Sequence, residues 1–166
     1  MSAGGEPQGG LGRRMFARLI HIYFRFARGL TMGVRAIALD GAGNVFLVRH
    51  TYVPGWHLPG GGVEAGETCA RALARELEEE ANIVMAAPPR LLGIYFNTTA
   101  TRRDHVAVYV VEKFRQTAPR PADREIAEAR FFALAALPGG TTPATRRRLA
   151  EALEGAPPEP FWTPRC

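Results

Sequence analysis

Gly61–Ile83, GGVEAGETCARALARELEEEANI, opens in a glycine-rich turn and runs straight into a helix crowded with carboxylates. Glu76, Glu79 and Glu80 stand at i, i+3 and i+4, which puts them on one face of an α-helix, one turn apart, with Glu78 pointing elsewhere. Ala70, Leu73, Ala74, Leu77 and Ala81 repeat at the same period and form the face expected to pack inward. Arg75 can reach Glu79 at i+4. Like charges on one face repel by roughly 0.2–0.5 kcal/mol per pair. A run of this kind also serves as an ordinary solvated helix face. A hard divalent cation would offset the repulsion, because Mg²⁺ takes carboxylate oxygens and keeps water positions open for a phosphate.

The upstream residues favour the cation. Pro59, Gly60, Gly61, Gly62 and Gly66 make a loop whose backbone can approach a ligand closely, although the same glycines would also serve a tight turn alone. Thr68 is placed to cap the helix N-terminus, and Asn82 to end the helix in the left-handed conformation.

At this point the residues resemble the Nudix box, G-x5-E-x7-R-E-U-x-E-E-x-G-U with U apolar. Gly61, Glu67, Arg75, Glu76, Leu77, Glu79, Glu80 and Ile83 match it, and Asn82 stands where the family has Gly. Asn and Gly are the two residues that best tolerate the left-handed cap, so the departure is mild. So many fixed positions make a far more specific signal than a lone glycine motif. The resemblance implies an α/β protein, a Nudix-type α/β/α sandwich with a mixed β-sheet. It implies an enzyme that hydrolyses a diphosphate joined to another moiety, using Mg²⁺ or alternatively Mn²⁺. By that resemblance the metal ligands are Glu76, Glu79, Glu80 and the Gly61 carbonyl. Arg75 would orient the glutamates, and Glu67 would support the loop and helix. Phosphoanhydride cleavage needs neutralised phosphate oxygens and an activated water, which clustered metals supply.

The chain has 166 residues, 46% hydrophobic and 22% charged, which suits one soluble domain with a substantial core. The basic residues are 20 Arg and Lys113, and the net charge is +5. Most of that excess lies in residues 1–30, with five Arg and Glu6, so the rest is nearly neutral and does not read as a nucleic-acid surface. Cys69 and Cys166 are expected as free thiols in a cytoplasmic protein.

Residues 1–10, rich in glycine, are expected to be disordered. Leu11–Leu30 reads as a basic amphipathic helix, with Arg14, Arg18, His21, Arg25 and Arg28 in one stripe and Phe16, Leu19, Tyr23, Phe26 and Leu30 in another. Its arginines argue against a membrane span and a signal peptide. Packing on its own domain or on a second copy in a homodimer is the first expectation, ahead of an anionic membrane surface or nucleic acid.

Residues 31–155 are assigned to the Nudix domain. Val34–Asp40 and Val45–His50 read as strands joined by a turn at 41–44. Arg35 and Arg49 are unusual in such apolar runs; they are solvent-facing or substrate-binding. His57 reads as structural rather than catalytic. Leu91–Phe96 and His105–Phe114 are further strands, flanking a polar loop that carries Arg102 and Arg103. Arg115–Arg124 is a loop, and Glu125–Pro138 a last strand and its exit. Glu125 is the positional match for a further carboxylate contributing to the metal site in some Nudix enzymes, with Glu128 and Asp123 as alternatives. Thr142–Pro143 starts a helix capped by Gly155, with Leu149 and Leu153 packing on the sheet. Residues 156–166 form a Pro-rich extended tail, with Phe161 and Trp162 as candidate anchors.

The resulting expectation is metal-dependent attack of water on one phosphorus, with Glu79 or Glu125 as proton acceptor. The substrate is a small nucleoside diphosphate derivative. The rival is a Nudix-fold module that binds a nucleotide without turnover. The SQPWPFPxS array of NADH-type enzymes is absent, as are a proline about sixteen residues past Ile83, as in many ADP-ribose enzymes, and a tyrosine at the spacing typical of dinucleoside polyphosphate enzymes. Nucleoside triphosphates, nucleotide sugars and other nucleoside diphosphate derivatives all stay open.

Overall fold

A computed structural model describes residues 29–99 and 101–163. The basic helix expected at 11–30 falls almost entirely outside these residues, as do the N-terminal ten and Cys166. Contacts divide the chain into Met1–Leu30 and Thr31–Cys166.

The second unit is built from β1 (Thr31–Ala38), β2 (Val45–His50), α1 (Cys69–Ala81), β3 (Ile83–Met85), β4 (Arg90–Asn97), β5 (Asp104–Val111), β6 (Phe114–Gln116), β7 (Ile126–Phe132) and α2 (Pro143–Leu153). β1 runs parallel to β5 and β4 antiparallel to it, giving a mixed sheet in the order β1-β5-β4. β2 pairs antiparallel with β7, and β3 with β6. A tight turn links β1 to β2, which lie in different sheets and pair only in a single bridge between Leu39 and Val45. Asp40 accepts from the Ala42 and Asn44 amides at 2.9 and 2.8 Å and from the Asn44 side chain at 2.9 Å, while Gly43 takes φ 79°.

Strand alternation sends side chains to two cores. Val34, Ala36, Phe46 and Val48 meet Leu73, Leu77 and Ala81 of α1. Ile37, Leu47, Trp56, Leu58 and Val108 meet Leu149 of α2. A helix therefore covers each face, and the expected α/β/α sandwich with a mixed sheet is what the chain adopts. Among the described residues no helix is long and apolar enough to cross a membrane.

Several local expectations needed correction. Ala72, not Ala70, is buried on α1, because the inward stripe runs through Cys69, Ala72, Leu73, Leu77 and Ala81 and Ala70 points off it. Leu149 packs inward, but Leu153 is 37% exposed where α2 runs past the sheet. The run 105–114 divides: β5 stops at Val111, and Phe114–Gln116 leaves to pair with Ile83–Met85. The exit after β7 is a 3₁₀ turn at Leu134–Ala136.

Both expected caps of α1 are in place. The Thr68 side chain accepts from the Arg71 amide at 3.2 Å. Asn82 takes φ 52° and ψ 34°, and it is the only non-glycine with positive φ among the described residues. Its side chain donates to the Pro119 carbonyl at 3.2 Å, and its own carbonyl accepts from the Thr117 amide at 2.9 Å, so the cap also anchors the loop after β6. Left-handed backbone costs an ordinary L-residue about 1–2 kcal/mol, and Asn less. Asn82→Ala should therefore lower stability by about 1 kcal/mol or more, whereas Asn82→Gly should stay within about 0.5 kcal/mol of the native chain. Urea unfolding followed by circular dichroism measures both; equal losses would show that the side-chain bond to Pro119 outweighs the backbone strain.

Candidate active site

The site forms where the glycine loop crosses the C-terminal half of α1. The backbone at Gly60 has φ 137°, and a Cβ there would sit 2.1 Å from the Val34 carbonyl oxygen. A Cβ on Gly61 would sit 2.3 Å from Glu76 Oε1. The two missing side chains thus let the loop lie against β1 on one side and against a helix carboxylate on the other. Val34 N–H donates to the Gly61 carbonyl at 2.9 Å, and Ala36 N–H to Pro59 at 2.9 Å, which fixes the loop on the strand edge.

Arg75 organises the carboxylates. It donates to Glu67 at 3.1 and 3.3 Å, to Glu76 at 2.7 Å, to the Gly62 carbonyl at 3.0 Å and, more weakly, to Glu79 at 3.4 Å. The sequence suggested the Glu79 contact; the closer partners are Glu76 and Glu67. Hydrogen bonds from Arg75 hold the Glu67 carboxyl below its usual range, and those it donates to Glu67 and Glu76 raise the guanidinium.

Glu80 is the buried member. Its side chain is 13% exposed, and Oε2 accepts from the Gly60 amide at 2.7 Å. Burial pushes its carboxyl up to about 7; the Gly60 amide and Arg35 pull it down, while Glu76 and Glu79 push it further up. Glu79, at 61%, faces solvent.

Two residues near this cluster escaped the sequence reading. His50 Nε2 stands 3.5 Å from Glu80 Oε1, and its Nδ1 is buried without a partner. Burial keeps the imidazole below its usual value, helped by Arg35 and His57. The signal was strand parity: Phe46 and Val48 face α1, and His50 continues that face. Tyr52 follows on the loop, its ring 5.3 Å from that of His50. Partial desolvation raises its hydroxyl, and Glu80, Glu125 and Glu76 raise it further, which puts Glu125 in the same electrostatic neighbourhood.

The three alternatives for an extra carboxylate are no longer equivalent. Asp123 is consumed by Arg120 and by the Glu125 and Ile126 amides, which bring it to about 2. Glu128 bridges Arg49 at 3.2 Å and Arg130 at 2.8 Å. Glu125 is exposed, and its carboxylate makes no ion pair among the described residues, while its carbonyl accepts from the Thr51 amide at 2.9 Å.

The arginines separate too. Arg35 lines a cleft of about 330 Å³ with Gly61, Gly62, Asn97, Asp104 and Trp162, and its Nη1 is buried without a hydrogen bond. Arg49 lies over the Trp56 ring at 5.6 Å, paired with Glu128, and belongs to a different hollow formed with residues 50–55. His57 Nε2 meets the Pro54 carbonyl at 3.0 Å, in keeping with a structural role.

Among the described residues no three carboxylate, imidazole or thiolate groups already converge in metal-binding geometry. Glu76 is turned into Arg75, and Glu80 into Gly60 and His50. The donor chemistry nevertheless fits a hard divalent cation: three carboxylates on one helix face, and a Gly61 carbonyl that keeps a second lone pair after its bond to Val34.

Comparison with known proteins agrees with this geometry. A family model for the NUDIX domain matches residues 29–153. The crystal structure of a MutT NUDIX hydrolase from Burkholderia pseudomallei is 30% identical, with a TM-score of 0.62, covering 72% of this chain and 95% of that one. An ADP-ribose pyrophosphatase from Methanocaldococcus jannaschii is 33% identical over 110 residues, 62% of this chain and 64% of that protein. An RNA pyrophosphohydrolase from Alkalilimnicola ehrlichii is 41% identical over 58 residues, 35% of this chain and 32% of that protein. The chain thus spans less than two thirds of the length of either of these last two relatives. The glycine loop held against a carboxylate-bearing helix, inside a domain matched over nearly its whole length, assigns the chain to the NUDIX family.

Proposed function

We propose that the protein hydrolyses a diphosphate bond in a nucleoside diphosphate joined to another moiety. The observation that carries this reading is the approach of the Gly60–Gly62 backbone to the buried ends of Glu76 and Glu80. That arrangement gathers oxygen donors beside an arginine-lined cleft. The names of the relatives point the same way, since ADP-ribose pyrophosphatase and RNA pyrophosphohydrolase both describe cleavage beside a nucleoside phosphate.

In this reading Glu76, Glu79, Glu80 and the Gly61 carbonyl hold Mg²⁺ or Mn²⁺, which supplies charge neutralisation of the phosphate oxygens and an acidified water. The chain's own residues do the rest. Arg75 keeps Glu76 and the loop in register through its bonds to Glu67 and Gly62. Arg35, which lines the cleft, supplies a guanidinium that attracts the phosphates and donates to their oxygens. The proton released by water passes to Glu79 or Glu125, both exposed enough to accept and discharge it. Arg49, spent on Glu128 and Trp56, plays at most a peripheral part in substrate binding.

Phosphate release from a panel of nucleoside diphosphate derivatives, with Mg²⁺, with Mn²⁺ and with a chelator, tests the reading. Turnover of at least one class that vanishes with chelator and returns with metal is expected. Binding across the panel without turnover would replace the hydrolase by a nucleotide-binding module. Glu80→Gln should keep the fold by circular dichroism and cost on the order of 100-fold or more in turnover, as loss of one preorganised charge-stabilising group does. A near-native rate at saturating Mg²⁺ would remove Glu80 from the site. Of Glu79→Gln and Glu125→Gln, the one that removes the base should lower kcat about 10²- to 10⁴-fold with little change in KM. Small effects from both would place the base elsewhere.

A further inference from the structure

The C-terminal tail does not trail away from the domain. Phe96 N–H donates to the Pro160 carbonyl, and Trp162 N–H to the Phe96 carbonyl, both at 2.9 Å, so residues 160–162 extend the sheet beyond β4. A buried ionic cluster holds the segment there. Arg148, 0% exposed, donates to Glu151 at 2.6 Å and to the Phe161 carbonyl at 3.0 Å, with its guanidinium 3.8 Å from the centre of the Tyr95 ring. Glu151 in turn accepts from Tyr95 at 2.9 Å and from the Glu159 amide at 3.0 Å. Arg147 donates to the Pro157 carbonyl at 2.7 Å. This apparatus delivers one large aromatic, Trp162, to the wall of the cleft that Arg35 and the glycine loop line at the other end.

The cleft is polarised. At the loop end stand Arg35 and the backbone of Gly61 and Gly62. At the Trp162 end stands Asp104, held by Thr31 Oγ1 at 2.7 Å and by the Asn97 amide at 2.8 Å. A diphosphate is attracted to the first end and repelled from the second. A flat, uncharged ring with hydrogen-bond donors on its edge suits the second end, where Trp162, packed against the core and edge-on to Tyr95, lines the wall and the Asp104 oxygens retain acceptor capacity.

We infer that Trp162 is a specificity-determining residue that stacks on the base of the substrate nucleoside and fixes its orientation, base toward the tail and phosphates toward Arg35. The inference rests on reading this cleft as the substrate site, but it concerns recognition rather than turnover, so binding tests it independently of hydrolysis.

Calorimetric titration of the full chain with AMP, GMP, CMP and UMP, and separately with inorganic diphosphate, all in Mg²⁺, compares the native protein with Trp162→Ala and Trp162→Phe. Base stacking on an aromatic side chain predicts that Trp162→Ala weakens binding of the favoured nucleotide about 5- to 100-fold. Trp162→Phe should recover most of it, and affinity for inorganic diphosphate should not move in either variant. Unchanged nucleotide binding in Trp162→Ala, an equal loss for diphosphate, or no nucleotide binding by the native chain overturns the inference. Nucleotide binding that depends on Trp162 without turnover of any diphosphate derivative would uphold it while sinking the hydrolase reading.

Discussion

Everything at the site depends on a backbone that carries no side chain where it meets a carboxylate. Gly61 touches Glu76 where any Cβ would stand 2.3 Å from the oxygen, and Gly60 lies as close to the Val34 carbonyl. A substituent at Gly60 would lift the loop from β1 and break the bonds from Val34 and Ala36 that lock it down, and one at Gly61 would push the Glu76 carboxylate aside. The Gly60 amide would then lose Glu80, and the Gly62 carbonyl would lose Arg75. Packing of α1 against β1 and β2 brings the helix near; the two glycines turn proximity into contact.

That contact has an electrostatic cost, and the structure shows where it is offset. Glu67, Glu76 and Glu79 share one arginine, whose guanidinium has enough donors for three carboxylates and a carbonyl. Glu80 has no such partner. It keeps one amide and a neutral histidine, and burial pushes its carboxyl up to about 7. A helix face selected only for stability would not bury an acid beside two others. Strain of this kind is expected where a ligand, not the protein, supplies the balancing charge.

The fold and the centre of the site were legible because their signals are local. The i, i+3, i+4 spacing of the glutamates, the caps at Thr68 and Asn82, and the apolar runs of β1, β2, β4 and β5 depend on neighbours along the chain; the caps, β2 and β4 lie close to where the sequence puts them, while β1 starts earlier and β5 stops sooner. The phase of α1 was harder to fix, since alanine marks a face weakly and Ala70 and Ala72 look alike from sequence. The β3–β6 pair has three residues a side and lies next to proline-containing loops, too short for periodicity to register. His50 and Tyr52 acquire meaning only when β2 is laid against α1.

The tail shows the same limit most sharply. Its composition, rich in proline, reads as extended with Phe161 and Trp162 as candidate anchors, and residues 160–162 do pair with Phe96. What places it is a charge cluster assembled from β4, α2 and the tail itself, residues far apart in sequence. Within α2, Arg146, Arg147 and Arg148 look interchangeable, yet only Arg148 is fully buried, stacked on Tyr95 and bonded to the Phe161 carbonyl. Breaking a buried pair by removing one partner typically costs about 3–5 kcal/mol, because the remaining charge is left in a low-dielectric setting. A surface strap would not need so expensive a fastening. Burial of this kind ties the tail to the domain, and Trp162 packs against the core beside Tyr95.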